Sequence, residues 1–119
     1  DLQTLLFVHL IEPKIAQIPI CIIYDYPKEQ AALAQINGPV AHRFELYING
    51  VEIANGYQEL QSEEDYRFRF NNELIKRKKL LKTTPLIDKQ FLNELKDGGL
   101  PYCSGVAIGL ERLFSAKSL

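Results

Sequence analysis

Residues 44–60 read FELYINGVEIANGYQEL, and this stretch decides the fold. At its start, apolar side chains alternate with polar ones, as in a half-buried β-strand; the apolar ones are Phe44, Leu46 and Ile48. The next two residues, Asn49-Gly50, favour a two-residue hairpin turn because both tolerate a positive φ. The chain then returns from Val51 as a partner strand, so the sequence predicts an antiparallel hairpin.

Two carboxylates, Glu52 and Glu59, lie seven residues apart on the returning strand. Between them, Asn55-Gly56 predicts a bend or a β-bulge. Carboxylates beside an apolar strand either reach solvent or meet a cation, such as a magnesium-nucleotide or a substrate ammonium. The hairpin alone leaves both interpretations open.

The chain before the hairpin predicts a helix and a strand. Residues 2–11 are leucine-rich and have no helix breaker until Pro13, which predicts a helix. Residues 18–24, IPICIIY, form a continuous β-branched run, which is typical of a strand buried on both faces and ending at Asp25-Tyr26-Pro27. Residues 28–41 predict a loop or a short helix around residues 30–34.

The chain after the hairpin predicts two capped helices. Ser62 is the expected N-cap of a helix that runs to about Lys82, with apolar positions at Tyr66, Phe70, Leu74 and Leu81. Its basic end is either a solvated terminus that complements the helix dipole or a contact for an acidic or RNA partner. Asp88 can cap a second helix, which ends before Gly98-Gly99.

The last segment predicts a strand over residues 103–108 that leads into a helix at Leu110. Gly109, at this junction, allows a flat ring or a phosphate to approach the backbone closely. Arg112, in the first turn of the helix, can stack on a purine or bind a phosphate through two N–H groups. Packing of an apolar helix on small residues explains the glycines equally well. The segment is not a P-loop, because it lacks the G-K-[ST] ending.

Composition limits the class of protein. A length of 119 residues fits one domain, and a net charge of −1 gives the whole chain no electrostatic footprint for nucleic acid. Cys21 and Cys103 predict reduced thiols in a cytoplasmic protein, since we see neither a secretory leader nor a membrane-length apolar run. The chain begins with Asp1 and contains no methionine, so we expect a fragment, a processed chain or a trimmed chain.

The motifs together resemble the second half of a class II aminoacyl-tRNA synthetase catalytic domain. The resemblance covers residues 4–114, and it rests on RFELYINGVEIANGYQEL at 43–60 and GLPYCSGVAIGLERL at 99–113, which looks like class II motif 3. The lysyl branch is the most similar, and within it the bacterial elongation factor P (R)-β-lysine ligases. Cys103-Ser104-Gly105 resembles the Cys-Ser-Gly of these ligases, and Ala107 stands where lysyl synthetases tend to carry glycine.

The resemblance implies an α+β fold, an antiparallel sheet flanked by helices, with a site for ATP, Mg²⁺ and lysine or β-lysine. Glu52, Ile53, Gly109 and Arg112 would bind ATP, with Arg112 as the catalytic cation. Glu59 would meet the substrate ammonium, while Asn55 and Ala107 would shape the amino-acid pocket. Both Glu52 and Glu59 are the expected magnesium ligands. The expected protein partner is elongation factor P; tRNA and membranes are not expected.

The sequence also differs from the class II catalytic domain that it resembles. We find no counterpart of class II motif 1, which builds the dimer interface, or of motif 2, whose arginine grips the α-phosphate. We therefore expect residues 1–119 to form the C-terminal portion of such a domain and to be inactive alone, self-associating through uncovered surface, while the parent is a homodimer. Two alternatives stay open: part of a true lysyl-tRNA synthetase, and a non-catalytic remnant that binds a nucleotide or a protein.

Overall fold

A five-stranded antiparallel sheet is built around the hairpin in the computed structural model, which describes residues 1–116. The strands are β1 (Ile20–Pro27), β2 (Ile36–Asn37), β3 (Val40–Ile48), β4 (Val51–Gln58) and β5 (Ser104–Ile108). Their order across the sheet is β1-β3-β4-β5, and the short β2 also pairs with β3. This antiparallel sheet with flanking helices confirms the predicted fold class.

The hairpin turn lies where the sequence places it, since φ is +48° at Asn49 and +79° at Gly50. The prediction of a bulge at Asn55-Gly56 is wrong, because both residues pair regularly with β3. The register instead shifts between Leu46 and Tyr47, which leaves Ile53 as the extra residue on β4. The bulge therefore lies closer to the turn than the glycine suggested.

Helices precede β1, connect β4 to β5 and follow β5 in the chain. The N-terminal segment is helical throughout, and it comprises α1 (Leu2–Leu6), a π-helical turn (Phe7–Ile11) and α2 (Glu12–Ile15). After the hairpin come α3 (Glu63–Lys79), α4 (Lys89–Glu94) and α5 (Leu110–Ser115). The predicted caps are confirmed: Ser62 Oγ accepts from the Asp65 amide at 3.1 Å, and Asp88 Oδ1 accepts from the Phe91 amide at 3.0 Å.

Three local predictions are corrected. β1 is an edge strand whose Ile22 is 58% exposed, so it is not buried on both faces, and it continues through residues 25–27. Where a loop or a short helix around residues 30–34 was expected, the structure has a 3₁₀ turn slightly earlier, at Lys28–Gln30. α3 ends at Lys79, and Leu81 beyond it is 95% exposed, because its φ of +55° takes it out of the helix.

Two small cores flank the end of β4. One contains Tyr26, Ala31, Ala34 and Ala41. The other contains Leu60, Tyr66, Leu92 and Leu95. Glu59 lies between them in the chain, bridged to Ala34 and followed by Leu60. The packing on both sides therefore fixes the backbone at this carboxylate.

Both cysteines, Cys21 and Cys103, are free thiols, as the sequence predicted. Within residues 1–116, no helix is long and apolar enough to cross a bilayer.

Candidate functional site

The pairing of β4 with β5 brings together most of the predicted site residues. Asn55 lies directly opposite Ala107, and Tyr57 lies opposite Gly105. Residues opposite each other in an antiparallel pair project from the same face of the sheet. Asn55 and Ala107, predicted from segments half the chain apart, therefore border the same surface.

Glu52, Ile53, Gly109 and Arg112 meet at the other end of the same strand pair. The Gly109 amide donates to the Ile53 carbonyl at 2.8 Å. Arg112 NH1 donates to the Glu52 carbonyl at 3.0 Å, and the side chain is otherwise exposed. Since a guanidinium carries five N–H donors, most of them stay available for an anionic ligand. These four residues, which were predicted to bind a nucleotide, form one end of the site.

Glu59 is held at the opposite end of β4. Its amide donates to the Cys103 carbonyl at 3.0 Å, and its Oε2 accepts from the Tyr66 hydroxyl at 3.3 Å. A Cβ at Gly105 would lie 2.2 Å from Glu59 Oε1, so only glycine leaves room for this carboxylate. Burial, with the charge and hydrogen bond of Glu59, raises the pKa of Tyr66 to about 12, which keeps its hydroxyl a donor.

A buried polar network, which was not predicted from the sequence, lies beside Asn55. Arg43 Nε donates to Asn55 Oδ1 at 3.1 Å, and Arg43 NH2 donates to Glu45 Oε1 at 2.5 Å. Glu45 is only 6% exposed, and its Oε2 accepts from the hydroxyls of Tyr26 at 2.7 Å and Tyr47 at 2.5 Å. Burial and the hydrogen bond to Glu45 raise the pKa of both tyrosines well above the usual value.

A sequence signal for this network exists in the polar positions of β3. Glu45 and Tyr47 alternate with apolar residues, so they share one face of the strand. The alternation does not reveal that this face is covered. The covering segment is the loop after β1, whose Gln30 carbonyl accepts from Arg43 NH1 at 2.7 Å.

The two expected magnesium ligands lie at opposite ends of β4. Glu52 and Glu59 lie seven positions apart along extended chain, or about 20 Å at the rise of a strand, so they cannot hold a single ion together. Among the described residues, no three His, Cys, Asp or Glu side chains cluster as a metal site. Carboxylate oxygens do suit Mg²⁺, which is often held by one or two protein carboxylates and substrate phosphates. Each glutamate can therefore bind Mg²⁺ only if a bound ligand completes the coordination of the ion.

The two ends differ in chemistry. The end with Arg112 offers guanidinium donors and the Glu52 carboxylate beside an exposed strand-to-helix junction. The end with Glu59 offers an oriented carboxylate that suits an ammonium group. Between them, Asn55 offers an amide whose Nδ2 donates to the Tyr57 hydroxyl at 2.8 Å. A ligand with an anionic end and a cationic end would match this order.

Comparison with known proteins shows the family to which the sequence is similar. The family model described as tRNA synthetases class II (D, K and N) matches residues 8–116. Three curated relatives are each named elongation factor P–(R)-β-lysine ligase. The one from Vibrio cholerae is 45% identical over 115 residues, or 94% of this chain. Those from Proteus mirabilis and Mannheimia succiniciproducens are 44% and 42% identical, over 94% and 93% of this chain. The chain spans about 35% of the length of each of these relatives.

Proposed function

Because this chain belongs to the class II tRNA synthetase family (D, K and N), we propose that it supplies part of the active site of a ligase. The ligase activates (R)-β-lysine with ATP and transfers it to a lysine of elongation factor P. The names and the 41–45% identity of the curated relatives support this choice of substrate and acceptor. In this proposal, residues 1–119 form the C-terminal portion of the catalytic domain, with motif 3 at residues 99–113.

The observation that carries the proposal is the order of groups along β4 and β5. The ATP residues, joined by the Gly109–Ile53 and Arg112–Glu52 hydrogen bonds, lie at one end. The amino-acid residues Asn55 and Ala107 oppose each other further along, and Glu59 follows. This order matches an adenylate, whose nucleotide and amino group lie at opposite ends.

In this reaction the protein positions the substrates and forms no covalent bond with them. The substrate carboxylate attacks the α-phosphorus of ATP, forming the acyl adenylate and releasing pyrophosphate. The amine of the acceptor lysine then attacks the acyl carbon, and AMP leaves. Arg112 would stabilise negative charge on the phosphates, and Glu59 would hold the substrate ammonium. Bound Mg²⁺ would neutralise phosphate charge, with Glu52 as the best-placed ligand on the nucleotide side.

Pyrophosphate exchange by the complete gene product that contains these residues tests the proposal. We expect exchange with (R)-β-lysine to exceed exchange with α-lysine, and labelled β-lysine to appear on elongation factor P. Exchange only with α-lysine, followed by labelling of tRNA, would instead identify a lysyl-tRNA synthetase. Binding of magnesium-ATP without any exchange would indicate a non-catalytic nucleotide binder.

The role of Glu59 has its own variant. Glu59→Gln removes the charge but keeps the size and the hydrogen bond from Tyr66, so the KM for lysine should rise about tenfold or more while ATP binding changes little. The matched control is Glu52→Ala at the other end of β4, which should weaken magnesium-ATP binding in a calorimetric titration. Equal losses of lysine and ATP in Glu59→Gln would remove Glu59 from the ammonium site.

A further inference from the structure

Arg43 is a candidate for a role that neither the sequence motifs nor the family match assigns. It lies on β3, its side chain is 19% exposed, and it has three partners in three directions. Nε reaches Asn55, NH1 reaches the Gln30 carbonyl, and NH2 reaches Glu45. Its guanidinium carbon also lies 4.7 Å from the centre of the Tyr26 ring. The guanidinium is therefore locked in one orientation.

The contact with Asn55 determines which way the Asn55 amide faces. A guanidinium has donors only, so the atom that meets Arg43 Nε must be the amide oxygen, Oδ1. The Nδ2 group then points away from Arg43, where one N–H donates to the Tyr57 hydroxyl. A second N–H on Nδ2 remains for a ligand. The Tyr57 hydroxyl could serve either amide orientation, so Arg43 alone makes the choice.

We propose that Arg43 is a positioning residue that holds Asn55 as a hydrogen-bond donor toward the acceptor group of the bound amino acid. This inference rests on the proposed function, since it needs an amino-acid substrate with a carboxylate. Glu59 would accept from the ammonium at one end of that substrate, and Asn55 would donate to its oxygen atoms. The hydrogen bonds of Arg43 go to groups of this chain, so in this proposal it acts on the substrate through Asn55.

A double-mutant cycle in the complete gene product tests the proposal. Arg43→Lys keeps a cation near Glu45 but loses the Nε donor, so the KM for (R)-β-lysine should rise about tenfold, with the KM for ATP within about twofold. Asn55→Ala should raise the KM for (R)-β-lysine by a similar factor. The double variant should be no worse than Asn55→Ala alone. Additive losses would show that Arg43 has only a structural role, and would overturn the proposal.

Asn55→Asp provides a second test that leaves Arg43 intact. It keeps an oxygen for Arg43 and adds an ion pair there, so the fold should be retained, but it replaces the outward donor with an acceptor. Binding of (R)-β-lysine should weaken about tenfold, whereas inhibition by cadaverine, a diamine without a carboxylate, should be unchanged. Tighter binding of (R)-β-lysine to Asn55→Asp would overturn the proposal. If the wild-type protein activates neither lysine isomer, the proposed function fails and this inference fails with it. If the wild type is active but the losses of Arg43→Lys and Asn55→Ala are additive, only the role of Arg43 is overturned.

Discussion

The two ends of β4 hold their side chains in different ways. At the end that leads to Glu59, side chains fix one another: Arg43 holds Asn55, Tyr66 holds the Glu59 carboxylate, and Gly105 leaves the space it occupies. At the other end, Glu52 and Ile53 are tied to the last helix through backbone carbonyls, and Arg112 is exposed. The side chains at the Glu59 end, which is proposed to bind the amino acid, are therefore preorganised by this chain. The Arg112 end, which is proposed to bind the nucleotide, depends more on its ligand.

The largest expected difference between the two ends is in folding stability. Glu45→Ala should lower the free energy of unfolding by about 3–5 kcal/mol, because it leaves the part-buried guanidinium of Arg43 and two tyrosine hydroxyls without their acceptor. The substitution Glu52→Gln should change the free energy of unfolding by less than about 0.5 kcal/mol. Urea unfolding of both variants measures this difference, and similar losses would mean that the two ends are equally rigid.

Substitutions of two glycines distinguish an effect on folding stability from an effect on the position of the Glu59 carboxylate. A Cβ at Gly105 meets only the flexible end of Glu59, so Gly105→Ala should keep the fold but displace the carboxylate and raise the lysine KM about tenfold. A Cβ at Gly56 would lie 2.3 Å from the Phe44 ring and 2.8 Å from a backbone oxygen, so Gly56→Ala should cost about 1–3 kcal/mol of stability. Melting curves measure the stability of the two variants, and pyrophosphate exchange measures their KM for lysine. An unchanged lysine KM in Gly105→Ala would contradict the position of Glu59.

Arg112→Ala probes the more open end. Loss of an exposed guanidinium that contacts one backbone carbonyl should barely change the melting temperature. The KM for ATP should rise about tenfold, while the KM for lysine stays nearly constant. An ATP dependence identical to that of the wild type would remove Arg112 from the site.

The smallest expected effect appears at high pH. The raised pKa values of Tyr26 and Tyr47 mean that the folded state holds their protons more tightly than the unfolded state does. Their contribution to stability is complete below the unfolded pKa of about 10, and it is lost as the pH rises toward the folded values. The urea midpoint should therefore fall above about pH 10, and less steeply in Tyr47→Phe. If the urea midpoint of Tyr47→Phe falls with pH as steeply as that of the wild type, the hydrogen bond from Tyr47 to Glu45 does not raise the pKa of Tyr47.

Much of this fold and site could be predicted because the signals are local. Ser62 and Asp88 act as caps within one turn of their helices, and Asn49-Gly50 sets its own turn. The polar network could not be predicted, because Gln30 and Arg43 meet only after the loop following β1 folds over the sheet. The buried state of Glu45 likewise depends on Tyr26, which lies 19 residues away in the chain.

The sequence by itself determined the hairpin and which residue types lie on β4. The tertiary structure decided which face they use. Counted regularly from the turn, Asn55 would pair with Phe44 and project with the apolar residues; the bulge at Ile53 shifts the register by one, so that Asn55 pairs with Glu45 on the polar face. A single extra residue reverses the side of every later side chain, and no local signal at Ile53 specifies it. Its position is set by the packing of β4 between β3 and β5, which exists only in the folded protein.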